Sequence, residues 1–171
     1  MTGTAYRFAL WLTRACETIA AVLVLLVVVF NTAQVFFRYV VGDPLGWTEE
    51  AMRYSMVWVA FLGSSALVFR GEHPAIQIGR VVKSRVLAAS IHYLGLAAIA
   101  SFSAILVWKG LPVAIGNRSQ TSPAAQIPMI YPYLAVGVGG SLMLIKVACL
   151  LVLPPGTFAA SESDVRAGDV A

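Results

Sequence analysis

Few side chains in this sequence could do chemistry, and the densest group of them falls in one short run. Trp47-Thr48-Glu49-Glu50-Ala51-Met52-Arg53 places two carboxylates and a guanidinium at the mouth of an apolar stretch that continues through Gly63. Charges beside a membrane helix are costly unless water, lipid headgroups or a partner protein satisfies them. Thr48 can cap the helix that follows. Glu49 and Glu50 then occupy its first turn, where free N–H groups and the helix dipole favour negative charge. Glu49 and Arg53 are four apart with the carboxylate first, the better order for an intrahelical pair. Glu50 lies about 100° round the helix from Glu49, so it stands outside that pair and is free to engage Arg38 or another chain. Trp47 belongs at headgroup depth, its ring buried and its N–H wet. A well-made helix entrance accounts for the same residues, so two readings stand: an entrance alone, or a contact surface.

The remaining reactive side chains are scattered. Lys146 is the one charge deep in the last apolar run, two turns from its end. A snorkelling stem explains it without a role, whereas a coupling-ion role would ask for a carboxylate partner inside the membrane. His73 and His92 are the only histidines, and neither has the paired ligand that haem requires. Cys16 and Cys149 lack CxxC or metal-ligand spacing and read as small core residues. No Ser–His–Asp set, phosphate-binding loop or zinc pattern is present. Hence no catalytic residue, no metal site and no cofactor is assigned.

The elements that position these residues are membrane helices. The 171 residues are 59% hydrophobic and 12% charged, with a mean hydropathy of +0.81. Ordinary soluble chains carry about 25% charged residues. The pattern predicts an all-α integral membrane protein with four spans over about 18–37, 48–69, 86–108 and 130–153. Together they form one membrane domain over 1–156, followed by a disordered cytoplasmic tail over 157–171. Residues 1–16 read as a short basic leader at the membrane surface. The first apolar run is too long for a signal-peptide core and is taken as a retained helix. Asn31 and Gln34 share one face, either as helix–helix hydrogen-bond partners or as interfacial residues. Ala60 and Ser64, around Gly63, form a small-residue face that predicts close helix packing, as do the alanines and serines of the third span. In the basic loop 70–85, Ile78, Val81, Val82 and Val86 recur at helical spacing and predict a short interfacial helix. Gly110, Pro112, Gly116, Pro123 and Pro128 punctuate 109–129, which reads as a loop.

The net charge of +4 sits in loops beside the spans. That fits contact with anionic lipid and control of topology, and it does not fit nucleic-acid binding, for which no basic stripe with interleaved aromatics exists. Arg7 and Arg14 precede the first span, and the 70–85 loop holds Arg70, Arg80, Lys83 and Arg85. The 42–46 connection has no basic residue and 109–129 has Lys109 and Arg118. Positive residues collect inside, so both termini are expected in the cytoplasm and the Trp47–Arg53 run at the outer surface.

Taken together, an arginine leaving the first span (Arg38), W-x-E-E-x-x-R (Trp47, Glu49, Glu50, Arg53), Phe61-Leu62-Gly63 with Ala66 and Leu67, and Arg70 with His73 resemble the DctQ family. These are the small membrane subunits of tripartite ATP-independent periplasmic (TRAP) transporters. Ser122-Pro123 leading to Ile127-Pro128, then Tyr133 and a Gly-rich helix ending in Leu142-Met143, resemble it more loosely. The likeness covers roughly residues 20–152. It departs at Pro74, Ala75 and Gln77, where an acid is common in the family, and at Ala135, where a proline is. The resemblance implies a bacterial inner-membrane scaffold for a large membrane subunit. That larger subunit would carry an organic anion, such as a dicarboxylate, in a sodium-coupled elevator motion after delivery by a periplasmic binding protein. Sodium and substrate sites would belong to the larger partner, and Arg38, Trp47, Glu49, Glu50, Arg53, Gly63, Arg70 and His73 would serve structure or partner binding. Two alternatives of other classes are a haem or quinone membrane anchor and a self-assembling small carrier.

Overall fold

The computed structural model describes residues 2–70 and 85–152. The described residues form four helices: α1 Thr2–Phe36, α2 Gly46–Arg70, α3 Arg85–Gly116 and α4 Ile130–Val152. Each is long and apolar enough to cross a membrane. The chain is thus an all-α, multi-pass membrane protein. Without water to satisfy peptide groups in hydrocarbon, helices that close their own hydrogen bonds are the available solution. His73 and the expected interfacial helix in 70–85 lie outside the described residues, as does the tail from 157 onward.

Two boundaries differ from the sequence expectation. The basic leader is not separate from the first span, because α1 runs unbroken from Thr2. Tyr6, Ala9 and Leu10 pack against the core, so this segment is helical by tertiary contact despite Arg7 and Arg14, which point outward. At the far end α1 loosens into a π turn, Phe37–Val41. The Gly42 N–H closes that turn on the Phe37 carbonyl at 2.9 Å, with Gly42 at φ +81°, a backbone region that costs glycine nothing. The second difference is in α3, which continues past Trp108 to Gly116 with Pro112 inside it. Gly110 is not a helix breaker here. A Cβ there would lie 3.0 Å from Val136 Cγ1 and 3.2 Å from the Gly137 nitrogen, so the glycine is what lets α3 lie against α4.

The helices stand in the spatial order α1–α2–α4–α3. α4 packs on both α2 and α3, α1 packs on α2 and touches α4 only lightly, and α3 packs on α4 alone among the described residues. Glycines make α4 the hub. A Cβ on Gly137 would fall 2.5 Å from Leu111 Cδ2, and one on Gly139 would fall 2.6 Å from Phe61 Cβ. One face of α4 thus admits α3 and another admits α2. The apolar core lies toward one end and joins Ala9 of α1, Val68 and Phe69 of α2, Leu96 and Ile99 of α3 and Val147 and Leu150 of α4. We call this the core end. The opposite end carries the Trp47–Arg53 run, the motif end.

Candidate partner-binding site at the motif end

The residues of the Trp47–Arg53 run are held by three different neighbours. α2 begins at Gly46, two residues before the expected cap. Thr48 is therefore inside the first turn, buried, and its hydroxyl donates back to the Leu45 carbonyl instead of accepting from the helix. Trp47 lies edge-on to Phe30 of α1, ring centroids 5.6 Å apart, and about half of it stays exposed. Glu49 accepts from Gln34 Nε2 at 3.3 Å. That contact ties α1 to α2 and gives Gln34 the interhelical role its position allows. Asn31, on the same face in sequence, is exposed.

Glu50 does most of the holding. Its carboxylate accepts from the Ala125 N–H at 2.8 Å and from the Ala124 N–H at 3.2 Å, and Ser122 donates to it as well. These donors belong to the segment between α3 and α4, which folds into a tight hairpin. Thr121 bridges Pro128, the Ser122 N–H donates to the Ile127 carbonyl at 2.9 Å, and the Met129 N–H donates to Gln120 at 2.8 Å. The Ser122 hydroxyl also accepts from the Ile127 N–H at 3.2 Å. Tyr54, one turn beyond Glu50, donates to Met129 Sδ at 3.6 Å. Successive amides at the tip of a turn make a ready cradle for a carboxylate, and Glu50 fills it from a neighbouring helix. Gln126 is held at φ +53°, a conformation a non-glycine residue takes only when its surroundings fix it.

The expected Glu49–Arg53 pair is not formed. Glu49 turns to Gln34, while Arg53 is exposed and acts electrostatically on Glu50. Arg38 is exposed in the π turn and does not reach Glu50, so the freedom inferred for that carboxylate is taken up by the hairpin. Arg70 closes α2 at the other end of the helix. Gly63 has open space where a side chain would project. Among the described residues the small-residue face around it is left uncovered: Ala60 is exposed, and with Ser64 it lines an apolar groove of about 510 Å³ between α2 and α3, with Met143 also in its lining. Sequence reasoning missed Ser122, Ala124 and Ala125 as the partners of Glu50. The only signal was the Ser-Pro…Ile-Pro punctuation, which marks a turn without saying which carboxylate it receives.

At the core end Lys146 does not snorkel. Its side chain is fully buried where α1, α2 and α4 meet, and Nζ donates to Ser65 Oγ at 3.2 Å. Ser65 in turn donates to the Leu62 carbonyl at 2.8 Å. Cys16 and Glu17 of α1 are the titratable groups that act on it. His92 lies edge-on to Tyr93 at 5.6 Å. No cluster of three or more His, Cys, Asp or Glu stands together among the described residues.

A family model described as tripartite ATP-independent periplasmic transporters, DctQ component, matches residues 27–154. The match takes in the whole motif end, the hairpin and α4. A C4-dicarboxylate TRAP transporter small permease protein DctQ from Rhodobacter capsulatus is 33% identical over 110 residues, covering 61% of this chain and 47% of that relative. The matched stretch thus spans about half the length of the curated relative.

Proposed function

This chain belongs to the DctQ family of TRAP transporter components, and on that premise we propose that it is the small membrane subunit that scaffolds a large transport subunit in the bacterial inner membrane. The observation that carries this reading is how the motif end uses its carboxylates. Glu50 is committed to the Ser122–Ala125 hairpin and Glu49 to Gln34. They fix one end of the bundle as a rigid platform, which is what a support needs and a moving carrier does not. The exposed groove beside Ala60 and Ser64 and the exposed Arg53 leave surface for other chains. Sodium coupling and substrate recognition then reside in the larger partner. The relative's name supports C4-dicarboxylates as the transported anions. Both termini face the cytoplasm by the distribution of lysine and arginine, which turns the Glu50-held hairpin toward the periplasm, where the binding protein docks.

Purification from the native membrane in mild detergent tests the scaffold reading. A much larger multi-span protein is expected to accompany this chain in near-equal amount. Recovery of the chain alone, or with a bound haem seen in its absorption spectrum, would overturn it. A reporter fused after Ala171 that is active only in the periplasm would overturn the topology.

A further inference from the structure

The turn that receives Glu50 is tied together by bonds of its own. In the run Ser122-Pro123-Ala124-Ala125 the proline has no N–H, so the first free amides beyond it are those of Ala124 and Ala125. Neither donates within the hairpin. The ties there run from the Ser122 N–H to the Ile127 carbonyl at 2.9 Å and from the Ile127 N–H to Ser122 Oγ at 3.2 Å. The Met129 N–H reaches the Gln120 carbonyl at 2.8 Å, and Gln126 Nε2 reaches the Pro123 carbonyl at 3.2 Å. None of these bonds involves Glu50. They bring the two amides and the buried Ser122 hydroxyl to one point, so the turn closes on itself without a carboxylate.

The occupant comes from elsewhere. Glu50 stands on α2, 74 residues from Ala124 in sequence. Both of its oxygens are engaged. Oε2 accepts from the Ala125 N–H at 2.8 Å and the Ala124 N–H at 3.3 Å, and Oε1 accepts from Ala124 at 3.2 Å. A planar anion with two acceptor oxygens matches this set of donors. A carboxamide does not, because its own N–H groups would face an amide N–H. Residues 119–129 carry no charged side chain, and Arg53 of α2 is the charged group that acts on the bound carboxylate. Ala124 is exposed and Glu50 only partly buried, so solvent reaches the site. Glu50 is related to the turn as a tethered ligand is to its receptor. The tether supplies a high local concentration and the donors supply the recognition.

We infer that the Ser122–Ala125 turn is a carboxylate-binding site in its own right, with Glu50 as its tethered ligand, and that it takes a free small carboxylate such as formate once the Glu50 side chain is gone. The site belongs to this chain alone and does not depend on the scaffold reading. The test follows amide hydrogen exchange in the purified full chain in detergent. In Glu50→Ala, exchange at Ala124 and Ala125 should rise at least tenfold, while the Ser122, Ile127 and Met129 amides, bonded within the hairpin, stay protected. Without its tether a carboxylate binds weakly, with a Kd on the order of 1–10 mM, so formate at about 0.2 M should return both rates to within about threefold of the parent. Chloride at the same ionic strength, or formamide as the neutral isostere, should restore neither. Lost protection at Ser122, Ile127 and Met129 in Glu50→Ala would show that the carboxylate builds the turn, which overturns the inference. Recovery that fails with formate, or that chloride or formamide matches, would overturn it as well.

Discussion

The two ends of the bundle are held by different forces. At the core end, Ala9, Val68, Leu96, Val147 and Leu150 pack without directional bonds, with one buried cation, Lys146, tied to Ser65. At the motif end the ties are polar: Glu50 to the hairpin amides, Glu49 to Gln34, and Trp47 edge-on to Phe30. Packing of the first kind spreads over many atoms, each contributing about 0.1–0.2 kcal/mol, and sets the stability of the whole. Hydrogen bonds of the second kind are few and directional, so they set the position of a particular surface. The difference separates a region that keeps the fold from one that presents it.

Leu150→Ala should have the largest effect on stability. In a membrane protein the transfer term is small, because lipid is as apolar as leucine, so the loss comes mainly from the cavity, about 2 kcal/mol or more. Denaturant titration in detergent micelles checks it, and the Ala124 and Ala125 amides should keep their hydrogen-exchange protection. Ser65→Ala comes next. It removes the hydroxyl acceptor from a fully buried ammonium, at a cost of about 1.5–3 kcal/mol. Lys146→Met removes the cation together with its need for the Ser65 acceptor and should cost less than Ser65→Ala. Equal losses in both variants would mean that the lysine itself stabilises the junction.

Glu50→Ala should dissociate the two ends in the opposite sense. Exchange at Ala124 and Ala125 is expected to rise at least tenfold and uptake by the assembled transporter to fall severely, with the melting of the bundle little changed. Arg53→Ala should lower uptake too, without loosening the hairpin, since Arg53 makes no bond to it. Normal uptake in both variants would return the motif to a simple helix entrance. The smallest effect concerns Ser103, whose hydroxyl is buried without a hydrogen-bond partner at the α3–α4 crossing. Ser103→Ala should be neutral or stabilise by up to about 1 kcal/mol.

The four long apolar helices were legible because hydrocarbon thickness imposes a length on apolar runs, and helices α2 and α4 have ends close to those read from composition. The ends of α1 and α3 were not, for one shared reason. Arg7 and Arg14 look like a leader, and Gly110 and Pro112 look like breaks, until the neighbouring helix is present. Tyr6 and Ala9 are helical because they pack on the core, and Gly110 is small because Val136 and Gly137 need the room. At the site, four-residue spacing foretold a Glu49–Arg53 pair worth a few tenths of a kcal/mol on an isolated helix. Gln34 and the hairpin amides are tertiary partners, and local spacing carries no trace of them. Lys146 misled in the same way: a lysine two turns from a helix end can reach the headgroups, unless Ser65 on another helix faces it first.

Reconstituted uptake decides most directly whether this chain carries substrate or supports a protein that does. Liposomes holding this chain alone, or together with the large subunit and the binding protein, would be given a sodium gradient and a labelled four-carbon dicarboxylate. Uptake is expected only when all three are present, and omitting this chain should abolish it. Sodium-driven uptake by this chain alone, or undiminished uptake without it, would contradict the scaffold role.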